Sequence, residues 1–268
     1  MRRYGLMMIV TVLLTAVTNS AVTIAQSTDR PLPPLAGNST DLGNGFEVLY
    51  LYAGGVIDGL SDGPILLGEL RNMGDHPAVA PMLRIGLLDQ AGTVLGTVDA
   101  MPLALYAPPG ARVPIVVDAL SFRNGAPGLT LGGWANESIS VCDTGKTLGE
   151  VDPAGLDVGA ITYTIDAAVD PGTFGIVGSV TNHTGGSAPY LDVVAAFYAA
   201  DGRFVGFDSA AVLTGVASGA EAAFALGSLN YSHLDGLAPD ERSTPVTWDL
   251  IVRREQRFQT ATCGGPIT

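Results

Sequence analysis

Charge, cysteine and histidine are all scarce in this chain of 268 residues. Charged residues make up only 15% of it, and 13 Lys and Arg stand against 26 Asp and Glu, for a net charge of −13. A chain this acidic repels a phosphate backbone, which argues against nucleic acid as a partner. Two cysteines and three histidines, His76, His183 and His233, show none of the spacings of a metal site, such as C-x-x-C or H-x3-H. The histidines therefore read as solvated loop residues. No P-loop lysine pattern accompanies the glycine-rich stretches. No stretch sets Glu, Lys, Arg and Leu at the spacing of a long helix. After the first 25 residues no apolar run is long enough to cross a bilayer. The expectation is a chain with no enzymatic activity, no cofactor and no transmembrane segment in its mature part.

What is abundant is apolar surface and chain-turning residues: 47% hydrophobic residues, 35 Gly and 17 Pro. Such a composition suits many short elements joined by tight turns. The chain opens MRRYGLMMIVTVLLTAVTNSAVTIAQS. Arg2 and Arg3 give a positive start, Leu6 to Val17 an apolar stretch, and Thr23-Ile24-Ala25 a small-x-small site before Gln26. Residues 1–25 thus have the layout of a secretory signal peptide, with an uncleaved anchor as the alternative. The expected destination is outside the cytoplasm. There, Cys142 and Cys263 are expected to form a disulfide, since each follows the last apolar run of its half. Closing so long a loop would add about 4–5 kcal/mol by chain entropy.

The chain repeats itself at an offset of 110 residues. LGELRN (Leu67–Asn72) lies over VGSVTN (Val177–Asn182), and LLDQAGTVLG (Leu87–Gly96) over FYAADGRFVG (Phe197–Gly206). Leu83, Ile85 and Leu87 alternate with Arg84 and Gly86, and Val193, Ala195 and Phe197 alternate with Asp192 and Ala196. This period of two marks half-buried strands. DQAG and AADG supply the hairpin turns between them and the return strands. Phe46–Ala53 is expected to correspond to Ile161–Ala168, and Arg112–Asp118 to Glu221–Leu226, with Pro114 on an edge or bulge. Leu129–Ala135 and Val246–Val252, carrying Trp134 and Trp248, close the two halves. About seven short strands over roughly 100 residues in each half predict two β-sandwiches, each burying its own core.

The stretches ILLGELRN…LRIGLLDQAGTVLGT and GIVGSVTN…LDVVAAFYAADGRFVGF resemble the FxLYD family of small exported β-sandwich domains. Ile85-Gly86-Leu87-Leu88-Asp89 fills the family's second motif in the first copy, and Ala195-Ala196-Phe197-Tyr198-Ala199 in the second. Neither copy has the leading Phe, and Ala199 replaces the Asp. The resemblance implies an all-β fold of two tandem immunoglobulin-like sandwiches, and an accessory module of exported proteins with no catalytic residues to carry over. The expected organisation is a signal peptide (1–25), a flexible leader (26–44), a first sandwich (45–142), a linker (143–156) and a second sandwich (157–268).

Few side chains offer chemistry. Asp58 and Asp62, in DGLSDG, are the candidate oxygen ligands for a hard cation such as Ca²⁺; the same residues also make an ordinary turn. Tyr50, Tyr52, Tyr190, Tyr198, Trp134 and Trp248 suit either a sugar face or packing between sheets. Sequons begin at Asn38, Asn136, Asn182 and Asn230, and Asn182 falls at a strand end, where it suits a turn. The reading that results is a non-catalytic exported protein acting in interaction or spacing at the cell envelope, with a protein partner. The alternatives are a binding protein for a sugar or other small ligand, and a calcium-dependent adhesive module.

Overall fold

A computed structural model of the chain describes residues 30, 32–34, 39–56, 64–79, 82–89, 91–117, 131–142, 147–159, 161–166, 173–212, 215–227 and 247–254. The fold is all-β and antiparallel throughout. The first half supplies β1 (Thr40–Asp41), β2 (Phe46–Val56), β3 (Pro64–Asn72), β4 (Ala78–Val79), β5 (Met82–Asp89), β6 (Val94–Pro102), β7 (Tyr106–Ala107), β8 (Arg112–Val117) and β9 (Leu131–Cys142). A short helix α1 (Leu148–Val151) follows. The second half supplies β10 (Leu156–Val158), β11 (Thr162–Asp166), β12 (Thr173–Asn182), β13 (Leu191–Tyr198), β14 (Phe204–Val212), β15 (Glu221–Leu226) and β16 (Thr247–Arg253).

The repeat is carried by backbone geometry. In the β5–β6 hairpin Leu87 pairs with Gly96, and the register slips by one residue at Leu88, which pairs with Val94. In β13–β14 Phe197 pairs with Gly206, and the slip falls at Tyr198, which pairs with Phe204. The turns also agree, with Gly92 at φ 81° and Gly202 at φ 86°, a region where a Cβ is strained. On β5, Leu83, Ile85 and Leu87 are buried while Arg84 points outward, its Nε donating to Asp99 Oδ1 directly across the ladder at 2.8 Å.

One expected correspondence is corrected. Phe46 pairs with Asn72, and it is Leu156 that pairs with Asn182; Tyr52 pairs with Leu67, and Thr162 with Val177. The counterpart of Phe46–Ala53 is therefore Leu156–Tyr163, β10 and the start of β11, which overlaps the expected Ile161–Ala168 only at its end. The single long strand of the first half is broken in the second between Val158 and Thr162. Arg112–Val117 and Glu221–Leu226 do correspond, each pairing with the third strand of its half. Pro114 sits opposite Glu69, and its carbonyl accepts from Leu103 N–H at 2.8 Å.

The path β1-β2-β3-β8-β6-β5-β9 is continuous, turning where β6 meets β8 over only two residue pairs. The second half makes two sheets, β10-β12-β11 with β15 on β12, and β14-β13-β16. Alternation then decides the packing. On β13, Val193, Ala195 and Phe197 enter a core with Leu156, Ile176, Val180, Phe224, Leu250 and Val252, all from the second half. The other face, Val194, Ala196 and Tyr198, joins Phe204, Phe207 and Ile251 in one continuous core with Leu67, Leu70, Leu83, Ile85, Val113 and Ile115 of the first half.

The first core is therefore shared between the halves, against the expectation that each buries its own, while the second core belongs to the second half alone. The β2-β3-β8 sheet is covered on one face by β5 and β6 and on the other by the β13-β14-β16 sheet, giving four stacked layers. All eight residues of β13 are buried, because a strand between two layers has no wet face.

Thr40–Asp41 pairs with β2, and Arg30 is tucked between the halves. In the linker, Glu150 accepts the Thr147 N–H and hydroxyl at 2.7 Å each, and Val151 is buried.

Candidate functional site

Among the described residues, a dense group of buried polar side chains lies between the two halves. Glu69 is fully buried on the face of β3 opposite Leu70. Its Oε2 accepts from the Tyr50 hydroxyl at 2.7 Å and from Arg112 Nη2, while Oε1 accepts from Arg30 Nη2 at 2.8 Å. Tyr50 and Glu69 are cross-strand partners, so the sheet itself brings them together. Arg112 Nη1 also donates to the Arg30 carbonyl at 2.8 Å.

The second half closes the group from the other side. Asp249, Ile251 and Arg253 alternate toward the first half while Leu250 and Val252 face inward. Asp249 lies 3.2 Å from Arg30 Nη1, and the Arg30 guanidinium carbon sits 3.3 Å above the centroid of the Tyr198 ring. The Tyr50 oxygen accepts from Phe204 N–H at 2.9 Å, and the Tyr52 hydroxyl donates to the Phe204 carbonyl at 2.5 Å.

Burial drives the Tyr50 phenol far above its ordinary value, and the Glu69 charge adds to the rise. Burial also drives Tyr198 well up, against the opposing pull of Arg30. For Arg30, burial works to lower the value, but Tyr198, Glu69 and Asp249 together outweigh it and raise it. A second ionic pair on the same face, Asp192 with Arg253, is similarly buried.

Each half also has a buried asparagine closing a loop. Asn72 Nδ2 donates to the carbonyls of His76 and Ala107 at 3.0 and 2.9 Å, and Oδ1 accepts from Gly74 N–H at 2.8 Å. Asn182 Nδ2 donates to Gly186 and Val216 at 2.9 and 2.7 Å, and Oδ1 accepts from Thr184 N–H at 2.9 Å. With both amide hydrogens engaged and no exposed surface, Asn182 is a structural turn residue and not an open sequon.

The other residues singled out by sequence are scattered. Asp58, Asp62, His233, Cys263, Asn38 and Asn230 lie outside the described residues, and so does the proposed Cys142–Cys263 bond, of which only the Cys142 backbone is placed, opposite Met82. Gly59, Ser61 and Gly63 of the same loop spell G-x-S-x-G. That motif serves a strand-to-helix turn; these three residues too lie outside the described residues, between β2, which ends at Val56, and β3, which begins at Pro64. His76 and His183 are exposed beside Asp75 and Asp157, at 3.6 and 3.5 Å. Tyr50, Tyr52 and Tyr198 meet at the interface, Trp248 packs on the second core, and Tyr190 is exposed. Among the described residues no group of three or more His, Cys, Asp or Glu is placed to hold a metal ion.

Sequence reading missed Glu69, Arg112 and Arg30. The available signal was a glutamate inside the apolar run ILLGELRN whose repeat counterpart is Ser179. A crevice at the other end of the interface, lined by residues including Tyr106, Pro153, Leu250 and Arg253, encloses about 20 Å³. That is room for about one water molecule and not for a sugar.

No family model matches the chain, and no curated protein matches it. Among solved structures it is similar to two variants of oxalate decarboxylase from Bacillus subtilis, at 11% and 12% identity. Each covers 76% of this chain and 74% of that one, with a TM-score of 0.15, a likeness that carries no argument about fold or chemistry.

Proposed function

We propose that this is an exported, non-catalytic protein that serves in interaction or spacing at the cell envelope, its two repeats being FxLYD-like, immunoglobulin-type sandwiches fused into one stiff body. In this reading residues 1–25 are removed on export, Cys142 and Cys263 form a disulfide in the oxidising compartment, and the partner is a protein. One observation carries the non-catalytic part. Each buried polar or charged side chain among the described residues, Glu69, Asn72, Arg112, Asn182, Asp192 and Arg253, makes at least one hydrogen bond to another part of the fold, with only the Nε atoms of Arg112 and Arg253 buried outside a hydrogen bond. Reactive sites depend on groups held ready for a substrate, and these groups are spent on structure. The shared core supports the spacing role, because two layers that bury a common face do not hinge freely.

The test is a thermal-shift series on the secreted protein with Ca²⁺, with chelator, and with a panel of neutral mono- and oligosaccharides. A binder of any of these raises its Tm saturably with ligand. The expected outcome is no shift. A saturable rise with a sugar replaces this reading with small-ligand binding, and a rise with Ca²⁺ reversed by chelator replaces it with calcium-dependent adhesion.

A further inference from the structure

We propose that the space between the two repeats is a guanidinium-binding site, which the protein fills in cis with Arg30. Its walls come from both halves, and the one wall contact to the leader, Arg112 Nη1 donating to the Arg30 carbonyl at 2.8 Å, goes to the main chain and survives truncation of the Arg30 side chain. Glu69 is fixed from behind by Tyr50 and Arg112, which occupy its Oε2 and leave Oε1 for the Arg30 fork at 2.8 Å. Asp249 stands 3.2 Å from the other terminal nitrogen as an ion pair, and the Arg30 guanidinium carbon lies over the Tyr198 ring, 3.3 Å from its centroid. Glu69 and Asp249 bring two negative charges to the site, and the occupant brings a positive charge to both.

The shape selects the chemical class. A planar cation that lies over a ring, hydrogen-bonds one carboxylate through one terminal nitrogen and ion-pairs a second through the other meets all three walls at once. An ammonium is a point charge that cannot do so. Arg30 belongs to neither repeat, because it precedes β1 in the chain, yet its side chain is only 9% exposed. Cutting it back at Cβ therefore leaves walls whose positions are set by β3, β13 and β16, and a vacancy of the size and charge of a small alkylguanidinium. The same class includes an arginine offered by any other chain segment.

The experiment is chemical rescue of Arg30→Ala. Removing one partner of a buried ion pair leaves an uncompensated charge, so Tm is expected to fall by about 10 °C. Millimolar ethylguanidinium should restore most of that loss saturably, while ethylammonium and sodium chloride at equal concentration should not, and the wild-type protein should not gain. Arg30→Lys, which keeps the charge and loses the fork, should recover less than half of the loss. Should Arg30→Ala not fold, the comparison is read as refolding yield, expected to rise with ethylguanidinium alone. An unchanged Tm in Arg30→Ala, full stability in Arg30→Lys, absence of rescue, or equal rescue by ethylammonium would each overturn the proposal.

Discussion

The two repeats agree at Asn72 and Asn182 and part company at Glu69 and Ser179. At the asparagines the same donors and acceptors recur in the same loop, down to backbone bonds from Gly110 and Gly219 N–H to the asparagine carbonyls at 2.9 and 2.7 Å. Three positions earlier, a buried glutamate in one repeat is a serine in the other. Arg112 likewise answers to Glu221, and Asp249 to Ala135, which pair with equivalent partners in each half. What the copies share closes loops and sets register. What they do not share sits on the face where they meet. The polar interface is thus an addition made separately to each copy, on top of a common strand plan.

Substitutions can test that division. Glu69→Ala should have the largest effect, about 4 kcal/mol in urea unfolding, because it strands Arg30 and Arg112 in the interior. Ser179→Ala at the equivalent position should cost less than about 0.5 kcal/mol; similar losses at the two sites would erase the distinction drawn here. Asn72→Ala and Asn182→Ala should each cost about 2 kcal/mol, since each takes the partner from one buried carbonyl and from a part-buried carbonyl and N–H. Clearly unequal losses would show that the two loops are not energetically equivalent.

The smallest effect near neutrality, and a growing one in base, concerns the interface tyrosines. Both phenols keep their protons in the folded protein above the value of about 10 they take when unfolded. The folded state then binds more protons, so stability is full below pH 10 and declines above it. Tyrosinate absorbance should show Tyr50 and Tyr198 ionising together with unfolding. Phe replacement of either should remove one step; ionisation of both in the intact fold would place the interface in contact with solvent.

Much of the strand plan was legible in the residues. The alternation of Leu83, Ile85 and Leu87 marks a face, and the paired turns at Gly92 and Gly202 are local chemistry that a short window captures. The shared core was not read, although β13 carried the sign of it. Val194, Ala196 and Tyr198 are as apolar as Val193, Ala195 and Phe197, and a strand apolar on both sides is a strand between layers. Arg30 and Glu69 were illegible for a different reason. They lie 39 residues apart, with Asp249 far beyond either, and nothing local ties a leader arginine to carboxylates that only the stacked sheets bring together. The partner of Phe46 was legible too, since Leu156 lies at the same offset of 110, but the break between β10 and β11 leaves only three strand residues there, too short a run to show a period of two.

The doubly covered strand β13 also bears on how such a chain can change over generations. A module with one dry side can be moved between genes and left on its own. Here, separating the second copy would open Val194, Ala196, Tyr198, Phe207 and Ile251 to water at once, and leave a matching bare patch on the first. The two units are consequently bound to be inherited as a pair, and any rearrangement that shuffles one without the other would be lost to aggregation before its new neighbour could matter.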